Sequence, residues 1–304
     1  MKKTTTIAGA LTVFALAACT KQENPVPTAL GKTEIAFAAQ GIEVEEQTKT
    51  VTEVSGSDIE KNGFKVVGVM VTGGTVLFNA VATKGGDAYK PAGAPYYYPE
   101  TGNVNFYGVY PTSQTIVISN SKASLSYSQG DGSLDIVAAA AEGISKQSAA
   151  VAMSFGHILS QLGIKVMAKD GNATYTLNYL KINAPASGTY DFSNDAWTPG
   201  SPADISYISA EQNVTTTAAA AGSKGNIALV PSTVTLSLKW TCTKAGATVG
   251  TYERAITVTL TKGKKTTATL TLPNDKADEI TFTVSVSDWT SEEKSMEISE
   301  ELAI

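Results

Sequence analysis

Along most of the chain, apolar residues recur at every second position. Phe64-Lys-Val66-Val-Gly-Val69-Met-Val71, Val104-Asn-Phe106-Tyr-Gly-Val109 and Thr115-Ile-Val-Ile118 follow this pattern. Val151-Ala-Met153-Ser-Phe155, Ile164-Lys-Val166 and Thr174-Tyr-Thr-Leu177 continue it, then Val234-Thr-Leu236-Ser-Leu238, Ile256-Thr-Val258-Thr-Leu260, Ala268-Thr-Leu270-Thr-Leu272 and Ile280-Thr-Phe282-Thr-Val284. A period of two places alternate side chains on opposite faces of an extended backbone, so each run predicts a strand. Threonine fills many of the polar positions, as suits a β-branched residue on a solvated sheet face. Turn-forming clusters separate the runs: Gly73-Gly74, Gly85-Gly86-Asp87, Asp131-Gly132, Asp170-Gly171-Asn172 and Pro273-Asn274-Asp275. No stretch sustains a long 3.6-residue period, so helices are few and short, with Ser57-Asp-Ile-Glu60 the candidate cap of one. Many short strands with turns between them predict an all-β chain built of sandwiches.

The first 32 residues break the alternation. Lys2 and Lys3 precede a short apolar stretch, Ile7 to Leu16, which is too brief to span a bilayer as a helix. It ends in Leu16-Ala17-Ala18-Cys19, which resembles a lipobox. Small residues admit the backbone to a peptidase cleft and the thiol is the nucleophile for acylation, so residues 1–18 read as a lipoprotein signal peptide. Cleavage then falls between Ala18 and Cys19, and Cys19 carries the lipid. Residues 19–32, polar with two prolines, read as a flexible tether. The chain length of 304 suggests two further domains, 33–143 and 144–304, divided where the Ala138–Ala141 run gives way to new strands.

Composition narrows the function. Without Lys2 and Lys3 the chain carries 21 basic against 28 acidic residues, a net −7 that disfavours nucleic acid as a partner. Arg254 is the only arginine, so a site built on bidentate anion clamps is not expected. With Cys19 lipidated, Cys242 stands alone in an alternating stretch and reads as a small core residue. A catalytic relay would have to use His157, the only histidine, which reads as a satisfied structural residue. Asp131-Gly-Ser133-Leu-Asp135 has Ile136 where a calcium loop needs glycine, and so reads as a turn entering a strand. No phosphate-cradling glycine motif or marked carboxylate pair is present, so no enzyme activity, metal site or cofactor is expected. Tyr96, Tyr97, Tyr98, Trp197 and Trp240 read either as core plugs or as platforms for stacking sugars.

The order of motifs resembles a known family. Phe37 precedes a Thr48-Lys49 arm, then Phe64-x-Val66-x-Gly68, Tyr96-Tyr97-Tyr98-Pro99, Tyr110-Pro111 and Leu134-Asp135-Ile136. Met153-Ser-Phe155-Gly-His157, Gly188-Thr-Tyr190-Asp191, Trp197, Ala228-Leu-Val-Pro231 and Val286-Ser-Asp-Trp289 complete it. This order is similar to that of the fimbrillin family, the Mfa-like and FimA-like pilins and pilus-associated lipoproteins of Bacteroidales. The resemblance implies two tandem transthyretin-like, Greek-key β-sandwiches. It implies a structural or adhesive subunit of cell-surface fimbriae, anchored to the outer membrane as a lipoprotein and assembled with other pilin subunits after proteolytic trimming. A host or bacterial surface receptor is a further implied partner.

Trimming in the family removes the first strand, and another subunit fills the groove by β-augmentation. Carried onto this chain, that strand is Ile35 to Ala39, expected along an edge of the first sandwich, and the basic residue of the arm is Lys49. The tail 290–304 places Met296, Ile298, Leu302 and Ile304 at period two. It reads either as an ordinary last strand or as a donor strand for a neighbour. The competing functional reading is a non-polymerising surface lipoprotein that binds glycans or host protein.

Overall fold

The computed structural model describes residues 32–41, 51, 53–93, 95–274 and 280–289, and the backbone of 296–298. The chain opens with β1 (Phe37–Gln40), followed by the short helix α1 (Gly56–Asn62), β2 (Phe64–Met70), β3 (Val76–Gly85), β4 (Ala88–Pro91) and β5 (Val104–Tyr110). A small hairpin, β6 (Ile116–Ser119) and β7 (Lys122–Ser128), leads to β8 (Val137–Ile144), β9 (Val151–Ser154) and β10 (Gly156–His157). Then come β11 (Ser160–Ala168), β12 (Thr174–Pro185), β13 (Ser187–Asp191), β14 (Ala196–Pro199), β15 (Pro202–Ser206) and β16 (Gln212–Val214). The last part holds β17 (Ala219–Ala220), β18 (Ile227–Leu229), β19 (Thr233–Lys244), β20 (Ala247–Thr259), β21 (Lys264–Leu272), β22 (Thr281–Asp288) and β23 (Met296–Ile298).

The expected turns fall between strands, and the tightest hairpin shows why. Ala245 and Gly246 join β19 to β20 with φ of 50° and 79°. Two successive positive φ values give the turn whose twist matches paired strands. The helix cap differs from expectation. Ser55, in an extended conformation, accepts from the Asp58 amide, and Asp58 reciprocates at the Ser55 amide. Ser57 lies inside the first turn, so the capping box starts two residues earlier than predicted.

An eight-stranded sheet runs in the order β10-β8-β5-β2-β3-β4-β1-β9. Only Phe155 separates β9 from β10 in sequence, yet these strands end opposite sides of the sheet. The sheet therefore curls until its ends meet, as accumulated twist allows. Its concave face packs Ile35, Phe37, Phe64, Val66, Phe106 and Met153. Strands β2 and β5 are buried on both faces, because Val67, Val69, Tyr107 and Val109 point the other way into a second cluster. There they meet Phe192, just past β13, and Ile116, Leu125 and Tyr190 of a four-stranded sheet ordered β14-β13-β7-β6. A third cluster lies around Trp240, Leu236, Leu270 and Tyr175, where the sheet β15-β12-β19-β20 faces β17-β11-β21-β22-β23.

The expected division at 143/144 does not follow a sheet boundary. β9 and β10 join the eight-stranded sheet, and β13 pairs with β7 from Ser187↔Ser128 to Asp191↔Ser124. The two halves share one middle layer, because β13 and β14 of the later part pair into the sheet of β7 and β6.

Burial raises the phenols of Tyr107, Tyr127 and Tyr207 from 10.0 to about 12. These groups favour the folded state fully below pH 10.0, and that contribution is lost as pH rises to about 12. A tyrosine absorbance titration should therefore show a late-ionising class whose transition coincides with loss of tertiary circular dichroism. In the core, a Cβ on Gly68 would lie 2.7 Å from the Phe78 ring. Gly68→Ala should cost about 1–3 kcal/mol, read as a lower urea midpoint with unchanged slope.

Candidate functional site

β1 owes its place to two apolar side chains. Ile35 and Phe37 are fully buried, and the Phe37 ring meets Phe106, Phe64 and Phe78 edge-on at 5.2, 6.0 and 6.4 Å. Aromatic rings prefer such edge-to-face geometry. The backbone is held from both sides. On one side Phe37 pairs with Tyr89 of β4, the Ile35 amide donates to the Tyr96 carbonyl at 2.8 Å, and the Tyr98 amide donates to the Thr33 carbonyl at 3.0 Å. On the other, Phe37–Gln40 run parallel to Val151–Ser154 of β9, with the Val151 amide donating to Ala36 and the Phe155 amide to Gln40. The Ile35–Ala39 segment is thus not an edge strand, contrary to expectation. It fills a two-sided slot, and β9 has no other strand partner among the described residues.

A second set of contacts anchors the chain beyond the arm. Glu53, with a side chain 1% exposed, pairs with Lys265 of β21 at 2.9 Å and accepts from the Gln161 amide of β11 at 3.0 Å. Gln161 in turn accepts from Asn226. The Val54 amide donates to Asp135 Oδ2 at 2.8 Å, and the same carboxylate faces His157 Nδ1 at 2.9–3.1 Å. Trp289 stacks on the His157 ring at 4.5 Å with planes 6° apart. Residues 53–54 are therefore tied to both halves by buried polar contacts, which are costly to break. Sequence reasoning missed Glu53; an isolated glutamate in a polar stretch carries no sign of burial. The sequence marks Asp135 as a member of motifs and His157 as a structural residue, without showing that the two pair.

Ala18, Cys19, Lys49, Leu302 and Ile304 lie outside the described residues. Met296 and Ile298 belong to β23, which pairs with β22 of the same chain through Val286↔Met296 and Val284↔Ile298. Cys242 is a free, fully buried core residue, and burial pushes its thiol upward. His157 Nε2 meets no hydroxyl nucleophile among the described residues. Asp131 accepts from the Ser133 amide and hydroxyl in a tight local turn before β8. The aromatics do not assemble into a sugar platform. Trp240 is buried against Tyr252, Tyr98 is buried, Tyr96 packs on Phe78 at 4.6 Å, and Trp197 Nε1 donates to the Ile158 carbonyl. No group of three or more His, Cys, Asp or Glu side chains among the described residues could hold a metal ion.

An all-β chain whose first strand is inserted between later ones defines the class. The fimbrillin-like family profile matches residues 41–289, and the chain belongs to that family. Among solved structures it is similar to a fimbrial protein from Bacteroides vulgatus, with 17% identity and a TM-score of 0.61 over 84% of this chain and 99% of that one. A cell-adhesion candidate from Parabacteroides distasonis shares 10% identity at a TM-score of 0.50, over 85% and 97% of the two chains. One from Bacteroides ovatus shares 16% at 0.48, over 86% and 99%. The first two likenesses bear on fold. No curated protein matches the sequence.

Asp135→Ala removes the acceptor for both Val54 and His157. It should destabilise the chain by about 1–3 kcal/mol. Hydrogen exchange should show the Val54 amide losing protection by more than the β19–β20 amides do.

Proposed function

We propose that the chain is a structural or adhesive subunit of cell-surface fimbriae, exported as a lipoprotein on Cys19 and joined to other subunits by strand exchange. The observation that carries this reading is the two-sided slot held by β1. An edge strand leaves one row of unpaired amides and carbonyls when removed. A strand lost from between β4 and β9 exposes two such rows, together with the apolar pockets of Ile35 and Phe37. Such a gap favours replacement by another strand over solvent.

The second support is the anchor at Glu53 and Val54. A cut after Lys49 would separate β1 from the rest of the chain, while residues 53–54 stay fixed to Lys265, Gln161 and Asp135. The folded body would then keep its start after trimming. Family membership places the chain among fimbrillin-like proteins, and the Bacteroides vulgatus neighbour is itself described as fimbrial. In this reading β23 rests on its own β22 before assembly, and 290–304 is the strand offered to the next subunit.

The test is N-terminal sequencing and non-boiled gel analysis of material sheared from cells, for the natural chain and for Lys49→Ala. A ladder of oligomers beginning at Thr50, converted to full-length lipidated monomer by Lys49→Ala, is the expected result. Oligomers that persist untrimmed, or monomer alone from the natural chain, would remove strand exchange at this slot.

A further inference from the structure

β11 and β21 run parallel, and their pairing sets Gln161 directly opposite Lys265. Residues paired in this way send their side chains to the same face of the sheet. That face is the outer one, since Leu162, Ile164, Ala268 and Leu270 turn inward to the third core cluster. Over this spot lies Glu53, which arrives from the start of the chain. Its Oε1 accepts from Lys265 Nζ at 2.9 Å and from Gln161 Nε2 at 3.0 Å. One carboxylate oxygen thus touches both an amine and the nitrogen of a carboxamide.

The carbonyl of the same carboxamide is engaged as well. Asn226 Nδ2 donates to Gln161 Oε1 at 3.0 Å. Gly163, the next residue on that face of β11, leaves room for this, because a Cβ there would run into Asn226 Oδ1. Gln161 and the Glu53 side chain are 0% and 1% exposed, so bulk water is kept from the carboxamide carbon. The Lys265 side chain is 25% exposed, which leaves a small molecule a way out beside it. An ion pair alone calls for neither a buried carboxamide on the shared oxygen nor a donor aimed at its carbonyl. Amine, proton carrier, carbonyl and oxyanion donor are the parts needed for acyl transfer to nitrogen.

We propose that Lys265 and Gln161 condense into a side-chain amide bond, with Glu53 as proton carrier and Asn226 as oxyanion donor. Lys265 Nζ passes a proton to Glu53 Oε1, and its freed lone pair attacks Cδ of Gln161. The carbonyl electron pair moves to Gln161 Oε1, where the Asn226 amide holds it. Glu53 hands the proton to Nε2, the Cδ–Nε2 bond breaks, and ammonia leaves as the carbonyl re-forms. The second proton lost from Nζ follows through Glu53 to the ammonia, which departs as ammonium. Atoms and charge balance, and no oxidant or other reactant enters. The product ties β11 to β21 covalently, so the two parallel strands could not slide apart under tension. All four residues belong to one chain, so the bond does not depend on strand exchange.

Mass spectrometry of a tryptic digest tests this, using the full mature chain kept folded for several days before digestion. The expected result is a peptide holding Gln161 joined to one holding Lys265, lighter than their sum by about 17 Da, the mass of ammonia. Lys265→Arg keeps a charge facing Glu53, and Glu53→Gln keeps the shape. Both variants, with folding checked by circular dichroism, should give only unlinked peptides. Recovery of separate Gln161 and Lys265 peptides alone from the natural chain would overturn the proposal. So would a link formed with loss of water, which puts the bond on Glu53, or the same link persisting in either variant.

Discussion

The first half of the molecule depends on a short strand that fills a gap between two others. β1 supplies four residues, yet among the described residues it is the one strand laddered to β9, and it plugs the aromatic core with Phe37. Burying a phenylalanine and an isoleucine contributes about 1.5–3 kcal/mol each, and the ladders on both sides keep polar backbone atoms satisfied. Neither contribution is available from the local sequence, because every strand partner of β1 lies at least fifty residues away and Phe64, the nearest ring that Phe37 meets, lies 27 residues on. The strand is thus needed for a complete sheet while remaining a terminal piece of chain, and these two properties together make replacement by an equivalent strand physically reasonable.

A second constraint acts against loosening the rest. Strands β2 and β5 are sandwiched between clusters, so the middle layer cannot peel away without exposing both. That layer takes β6 and β7 from early in the chain and β13 and β14 from later. Glu53, Gln161, Lys265, Asp135 and His157 join the same region by buried polar contacts. An unpaired member of such a network is more costly than an apolar substitute, so the contacts specify one arrangement even where their net stabilisation is small.

The strands themselves were legible in the sequence, because alternation survives wherever one face is wet. β19 and β21 show it with threonine on one face and leucine or valine on the other. Pairing order was not legible. The Val66-Val67 step breaks the alternation for a reason that appears only in three dimensions, since both faces of β2 are covered. The same limit hid the sharing of sheets across 143/144, and it put Ile35–Ala39 on an edge when a strand from the far side of the sequence covers it. The cap at Ser55 rather than Ser57 was a shift of two residues among serines of similar propensity. The seam between β8 and β9 had no sequence signal, because its alanines contribute only by being small.

The incomplete closure of the curled sheet follows from the same geometry that seats β1. With β9 paired in parallel to β1, its register is set by Phe37↔Val151 and not by β8. β8 is set independently by β5. Two strands positioned by different partners need not meet in hydrogen-bonding register, and the residual gap falls where Ala138–Ala140 offer little side-chain volume to fill it. Among the described residues β1 is the one strand laddered to β9, so removing β1 would leave β9 without a ladder.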